Sequence, residues 1–260
     1  MAQEIINKMP EQLTQIAFGT DATLTTNPDW YDIFSYARKV GYIPNVTVAD
    51  LNDETAEKVV DVVGACAVSR YPQKDFCYNT INLLSNKYSL NQTNMHLMIS
   101  KETIGMAYET IRDIKDDPRL KNLNAIVFLS LKPKGRGESF HRLDNNEFSE
   151  LIQTCLDEGI NFGFDSCSAN KFKNFIHNNK QYNNLLVYAT PCESSVQSAY
   201  INADGYFFPC SFSEGCGRWK TGINMMDVTN FVEDVWYNAK TNLFREELIM
   251  NGNNCPVYNV

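Results

Sequence analysis

The strongest constraint on how this chain folds is a repeated alternation. Short apolar runs give way, again and again, to longer segments that are apolar on one helical face. The first pattern fits a β-strand and the second an amphipathic helix. Strands are predicted at 14–19, 43–48, 65–69, 95–99, 124–131 and 160–164, and helices at 29–40, 53–63, 75–84, 101–115 and 145–157. In the segment 29–40, Trp30, Ile33, Phe34 and Ala37 share one face, and Gly41 supplies the stop. Asn52 or Asp53 caps the second helix and Ser100 the fourth. The strand at 124–131 has the continuously apolar texture of a buried strand. Alternation of this kind builds a parallel sheet with right-handed crossovers. About six units predict an α/β fold whose sheet is an open or partial barrel, not a flat doubly wound sheet. A short helical stretch at 3–13 precedes the first strand.

The texture changes near residue 178. The segment 178–184 is polar and Asn-rich, and the remainder of the chain is dense in Cys, Gly and aromatics. Two domains are therefore expected, at 1–177 and 178–260. Tyr200 and Ile201, then Asn202-Ala203-Asp204-Gly205, then Tyr206 to Phe208 read as a β-hairpin. The segment 234–250 reads as one helix or two.

Function classes narrow from composition. A net charge of -8 argues against a broad nucleic-acid-binding face. The longest apolar runs are too short to span a membrane. Residues 1–10 are polar, with no secretory signal, so a reducing compartment, the cytoplasm, is expected. No Gly-x-Ser-x-Gly elbow or phosphate-binding Gly-x4-Gly-Lys-Ser/Thr loop is present.

Eight cysteines are many for 260 residues. Cys66, Cys77 and Cys155 fall inside predicted strands and helices, at apolar positions, and read as core packing. Cys167, Cys192, Cys210, Cys216 and Cys255 fall at strand ends, turns and loops, where several thiolates can converge. Cys210 ends the second arm of the hairpin, and Cys255 precedes Pro256 in a turn. Four thiolates suit an iron–sulfur cluster or a tetrahedral zinc. The close Cys-x-x-Cys pairs usual in structural zinc sites are missing, which favours a cluster.

The spacing Cys192, twelve residues, Gly205, four residues, Cys210 resembles the opening of the SPASM/twitch extension of radical SAM enzymes. Phe244-Arg245 through Cys255-Pro256 resembles its closing helix and last cysteine. That resemblance implies an auxiliary [4Fe–4S] cluster on Cys192, Cys210 and Cys255. The fourth ligand it implies is Cys167, with Cys216 in Gly215-Cys216-Gly217 as the alternative. The N-terminal part is similar to the family's (β/α)6 partial barrel. Ile16-Ala17-Phe18-Gly19-Thr20-Asp21 resembles the strand end that holds the amino group of S-adenosyl-L-methionine, with Thr20, Asp21 and Ala22 where the family has Gly, Glu and Pro. On this resemblance Gly19, Thr20, Asp21, Asn45 and Ser69 are the residues to contact that cofactor. The loop 132–137, Lys-Pro-Lys-Gly-Arg-Gly, either matches a basic glycine-rich loop of several SPASM proteins or is an ordinary solvated loop.

The family's Cys-x3-Cys-x2-Cys motif is missing from the sequence. The resemblance therefore implies a partial barrel lacking its first βα unit, with the motif supplied from outside this sequence. Such a chain would expose a sheet edge, which implies poor solubility alone or a partner chain that covers the edge. The function implied is radical modification of a peptide or protein substrate. The competing reading is a non-catalytic iron–sulfur or zinc-stapled module that binds a peptide or partner.

Overall fold

The computed structural model of the chain describes residues 1–20 and 23–258. In chain order the elements are α1 (Ala2–Asn7), β1 (Gln15–Phe18), α2 (Trp30–Lys39), β2 (Ile43–Val48), α3 (Asp53–Val62), β3 (Ala65–Ser69), α4 (Lys74–Ile81), β4 (Thr93–Ile99), α5 (Ile104–Asp116), β5 (Ala125–Ser130), α6 (Asn145–Asp157) and β6 (Phe162–Phe164). They continue with α7 (Ala169–Asn178), β7 (Tyr200–Ile201), β8 (Tyr206–Phe208), β9 (Ile223–Asn224) and α8 (Ala239–Met250). The chain divides into two compact units. A sheet unit holds Gln12–Leu129 and His141–Phe164, and a cysteine unit holds Met1–Glu11, Ser130–Phe140 and Asp165–Val260.

The sheet unit is mixed α/β, built on one six-stranded parallel sheet in the order β1-β2-β3-β4-β5-β6. The order is strictly sequential. With right-handed crossovers throughout, every connecting helix falls on the same face of the sheet. The burial pattern agrees. Val46, Val48, Cys66, Val68, Met95, Leu97, Ile126 and Phe128 are buried, and so are Phe34, Val59, Ile81, Ile111 and Leu151 from the helices. The intervening strand residues are mostly half-buried: Asn45, Thr47, Ser69, Asn94, His96, Val127 and Gly163. The strand at 125–130 is thus fully buried on one face only, not on both. Among the described residues, β1 at the sheet's edge pairs with β2 alone.

Local chemistry explains the boundaries. Asn52 caps α3 by accepting the amide of Thr55 at 2.8 Å. Asp144 and Glu147 form a reciprocal capping box at the start of α6. The fourth helix begins later than its sequence predicts. Ser100 accepts the amides of Glu102 and Thr103 at 3.2 Å in a turn, and α5 starts only at Ile104.

The cysteine unit has its own core. Phe207, Phe208, Trp219, Met225, Val228, Phe231, Val235 and Phe244 pack together, with Ile5 and Met9 of the N-terminal segment against them. Lys8 Nζ donates to the carbonyls of Met225 and Met226 at 2.9 Å. The N-terminal helix therefore packs on the residues around the small sheet β7-β8-β9. Gly205 turns the β7–β8 hairpin at φ +83°, a left-handed conformation that favours glycine.

Candidate functional site

One pocket in the cysteine unit gathers four cysteines: Cys167, Cys192, Cys210 and Cys255. They arrive from four separate places. Cys167 sits in the turn Ser166–Ser168 between β6 and α7. Cys192 follows the helical turns Lys180–Tyr188, Cys210 lies two residues past β8, and Cys255 lies in the turns after α8. The rest of the wall is Lys132, Ser194, Phe212, Phe244, Val257 and Tyr258.

Backbone donors point at the sulfurs. The amide of Phe212 donates to Cys210 Sγ at 3.4 Å, and that of Tyr258 to Cys255 Sγ at 3.3 Å. Burial pushes the Cys167 thiol up to about 12; Asp165, Cys192 and Cys255 add to the rise and Lys132 opposes it. The Cys255 thiol is also raised, by burial first, with Cys192 and Cys210 adding. The neighbouring sulfurs thus make Cys167 and Cys255 harder to ionise, and four thiolates gathered here would repel one another unless a positive centre lay between them.

Lys132 brings one positive charge. Its side chain is only 7% exposed, and its ammonium pairs with Asp165 Oδ2. Burial works against that charge, but Asp165 and the Cys167 sulfur outweigh it, and the lysine pKa ends above its ordinary value. Asp165 is itself fixed. Its Oδ2 accepts the Ser130 amide at 3.0 Å and its Oδ1 the Ser168 hydroxyl at 2.9 Å. The loop 132–137 is exposed at Pro133, Gly135 and Arg136 and tied down at three other points. Lys132 is buried at its start, Lys134 Nζ donates to the Glu214 carbonyl at 2.6 Å, and a Cβ on Gly137 would stand 2.2 Å from the Lys132 carbonyl oxygen. The sequence alone does not mark Lys132 as a pocket residue. Its position immediately after an apolar strand was the available signal.

Cys216 lies just outside the pocket, against its wall residue Tyr258. It is not among the pocket residues, and its Sγ contacts the Phe212 carbonyl at 3.6 Å and the Tyr258 hydroxyl at 3.3 Å. Cys66, Cys77 and Cys155 are fully buried in the sheet unit, where desolvation pushes each thiol up to about 12. Arg245 holds the Cys192 loop to α8. Its Nε donates to the Ser195 carbonyl and one terminal nitrogen to the Trp236 carbonyl, both at 2.6 Å.

Among the described residues, no three His, Cys, Asp or Glu side chains converge closely enough to hold one metal ion. A tetrahedral zinc with bonds of about 2.3 Å would need its sulfurs about 3.8 Å apart. A cubane cluster spreads its four thiolates over four irons, and so tolerates wider spacing. The four-sulfur donor set, the amide donors to sulfur and the buried ammonium fit a cluster.

The residues expected to contact S-adenosyl-L-methionine lie in the sheet unit. Gly19 follows β1, and Thr20 donates its hydroxyl to the Thr47 carbonyl at 2.8 Å. Ser69 ends β3, opposite His96. Asn45 is not brought to these strand ends. It pairs with Ala17 and Ala65, gives its amide to Gln15 Oε1 at 2.7 Å, and stands four residues, about 13 Å, below the level of Ser69. Asp21 lies outside the described residues.

Comparison with models of known protein families gives no match, and no curated protein matches the sequence. Among the described residues, no helix is long and apolar enough to cross a membrane.

Proposed function

We propose that this chain is the C-terminal portion of a radical-SAM-type protein, with an auxiliary [4Fe–4S] cluster held by Cys167, Cys192, Cys210 and Cys255. The observation that carries this reading is the pocket itself: four cysteines from four separate segments line one cavity, and Cys216 does not. When bound, such a cluster supplies low-potential one-electron transfer. The chain's own part is to hold the thiolates, donate the Phe212 and Tyr258 amides to sulfur, and wall the site with Phe212, Phe244 and Val257.

In this reading the sheet unit is a partial (β/α)6-type barrel whose first βα unit comes from elsewhere. The last strand of this sheet is the short β6, which leads to Asp165 and Cys167. Parallel sheets are usually covered on both faces. Here the second face is half-exposed and carries Asn45, Thr47, Ser69, Asn94 and His96. Amides and hydroxyls of that kind suit hydrogen bonds to a peptide, and the proposed substrate is a peptide or protein segment lying there. S-adenosyl-L-methionine would bind only once the Cys-x3-Cys-x2-Cys segment is supplied. The missing motif favours one second reading, a non-catalytic cluster module that only recognises its partner.

The test is purification and reconstitution of the chain without oxygen, with iron, acid-labile sulfide and zinc all measured. Iron and sulfide in equal amounts, lost in Cys167→Ala and Cys210→Ala, are expected. Bound zinc without sulfide, or no metal at all, would overturn the reading. Cleavage of S-adenosyl-L-methionine after addition of the motif-bearing segment separates the enzyme from the recognition module.

A further inference from the structure

We propose that Lys132 sets the reduction potential of this site; the assignment rests on the cluster reading above. Four thiolates outweigh the positive charge of a [4Fe–4S] core, so the loaded pocket is an anion. An electron taken up makes it more negative. A buried cation at the wall favours that electron, because little water is present to screen it.

The placement of Lys132 is specific. Its side chain is 7% exposed and lines the same pocket as Cys167. Its ammonium lies 5.2 Å from the centre of the Phe212 ring, another wall residue. Asp165 does not swing freely beneath it, because the Ser130 amide and the Ser168 hydroxyl hold both carboxylate oxygens. The next basic residue along the loop, Lys134, is spent on the Glu214 carbonyl and is not a pocket residue. Asp165 balances the charge of Lys132. Removing the lysine leaves a buried carboxylate next to an anionic cluster, and removing the carboxylate leaves the ammonium unopposed. The two changes therefore move the potential in opposite directions. A lysine that merely pairs with Asp165 to hold the fold would move it in neither.

The experiment uses the full chain, reconstituted without oxygen. One electron per cluster passes from dithionite through mediators, and the reduced cluster is counted by electron paramagnetic resonance. At the potential where the wild-type cluster is half reduced, K132M is expected to show about a tenfold lower ratio of reduced to oxidised cluster, or about 59 mV for a one-electron couple. K132R keeps the wild-type ratio, and D165N raises it. Loaded K132M and D165N clusters that titrate with the wild type would overturn the assignment and leave the cluster reading standing. A wild-type chain that takes up no iron and sulfide would overturn both. If K132M does not hold a cluster, D165N and K132R decide: D165N unchanged, or K132R shifted, is a refutation.

Discussion

Replacing Phe207 with alanine should cripple the cysteine unit while leaving the sheet unit intact. Phe207 is wholly buried, in the strand that leads to Cys210. Its ring meets Trp219 edge-on at 6.1 Å and Phe231 edge-on at 6.3 Å. Truncating a buried phenylalanine costs about 3–5 kcal/mol, and each edge contact carries about 0.5–1.5 kcal/mol that partly overlaps with it. A loss of about 4 kcal/mol is large against the roughly 5–15 kcal/mol that stabilises a typical domain. Urea denaturation followed by tryptophan fluorescence measures it. Trp30 belongs to the sheet unit, and Trp219 and Trp236 to the cysteine unit. In a Trp30→Phe background the signal thus reports the cysteine unit alone. With a slope of about 2 kcal/mol per M, the midpoint should fall by about 2 M. Val187→Ala, at a residue 77% exposed, should leave the stability within about 0.5 kcal/mol of its parent. A Phe207→Ala midpoint equally unmoved would refute the assignment of Phe207 to a packed core.

Three further outcomes are expected. Cys216→Ser should retain iron and sulfide while Cys167→Ser loses them, because only Cys167 lines the pocket; the reverse result would exchange the two as ligands. Asp144→Ala removes an acceptor of the Asn146 and Glu147 amides and should destabilise the sheet unit by about 1 kcal/mol, read as a shift of the Trp30 unfolding curve. Buried Cys66, Cys77 and Cys155 have thiols raised from 9.0 to about 12. Their protonated form is favoured by folding, so this contribution is fully present below pH 9 and is lost as pH rises toward 12. Replacing all three by alanine should flatten the alkaline side of the stability–pH curve, and an unchanged slope would count against these shifts.

Period and punctuation made most of the sheet unit legible. Trp30, Phe34 and Ala37 could be placed on one buried face because a helix repeats every 3.6 residues, and Asn52 could be read as a cap because its side chain competes for nearby amides. The hairpin at Gly205 was equally local. Less could be read in the cysteine unit. Strand β9 has two residues and exists only because β8 offers it an edge. The later start of α5 depends on how Ser100 and Thr103 share hydrogen bonds. Asn45 looked equivalent to Ser69 as a strand polar residue, and register alone separates them.

The sequence by itself determined the strand–helix alternation and the division of cysteines into core and loop groups. Both follow from interactions between residues close along the chain. Only the tertiary structure decided that Cys167 shares a pocket with Cys192, Cys210 and Cys255 while Cys216 turns to Tyr258. Nor could spacing show that Lys132 is buried in the same pocket as Cys167 or that α1 packs in the C-terminal core. These are long-range contacts, fixed by desolvation and packing among segments that approach one another only when the chain is folded.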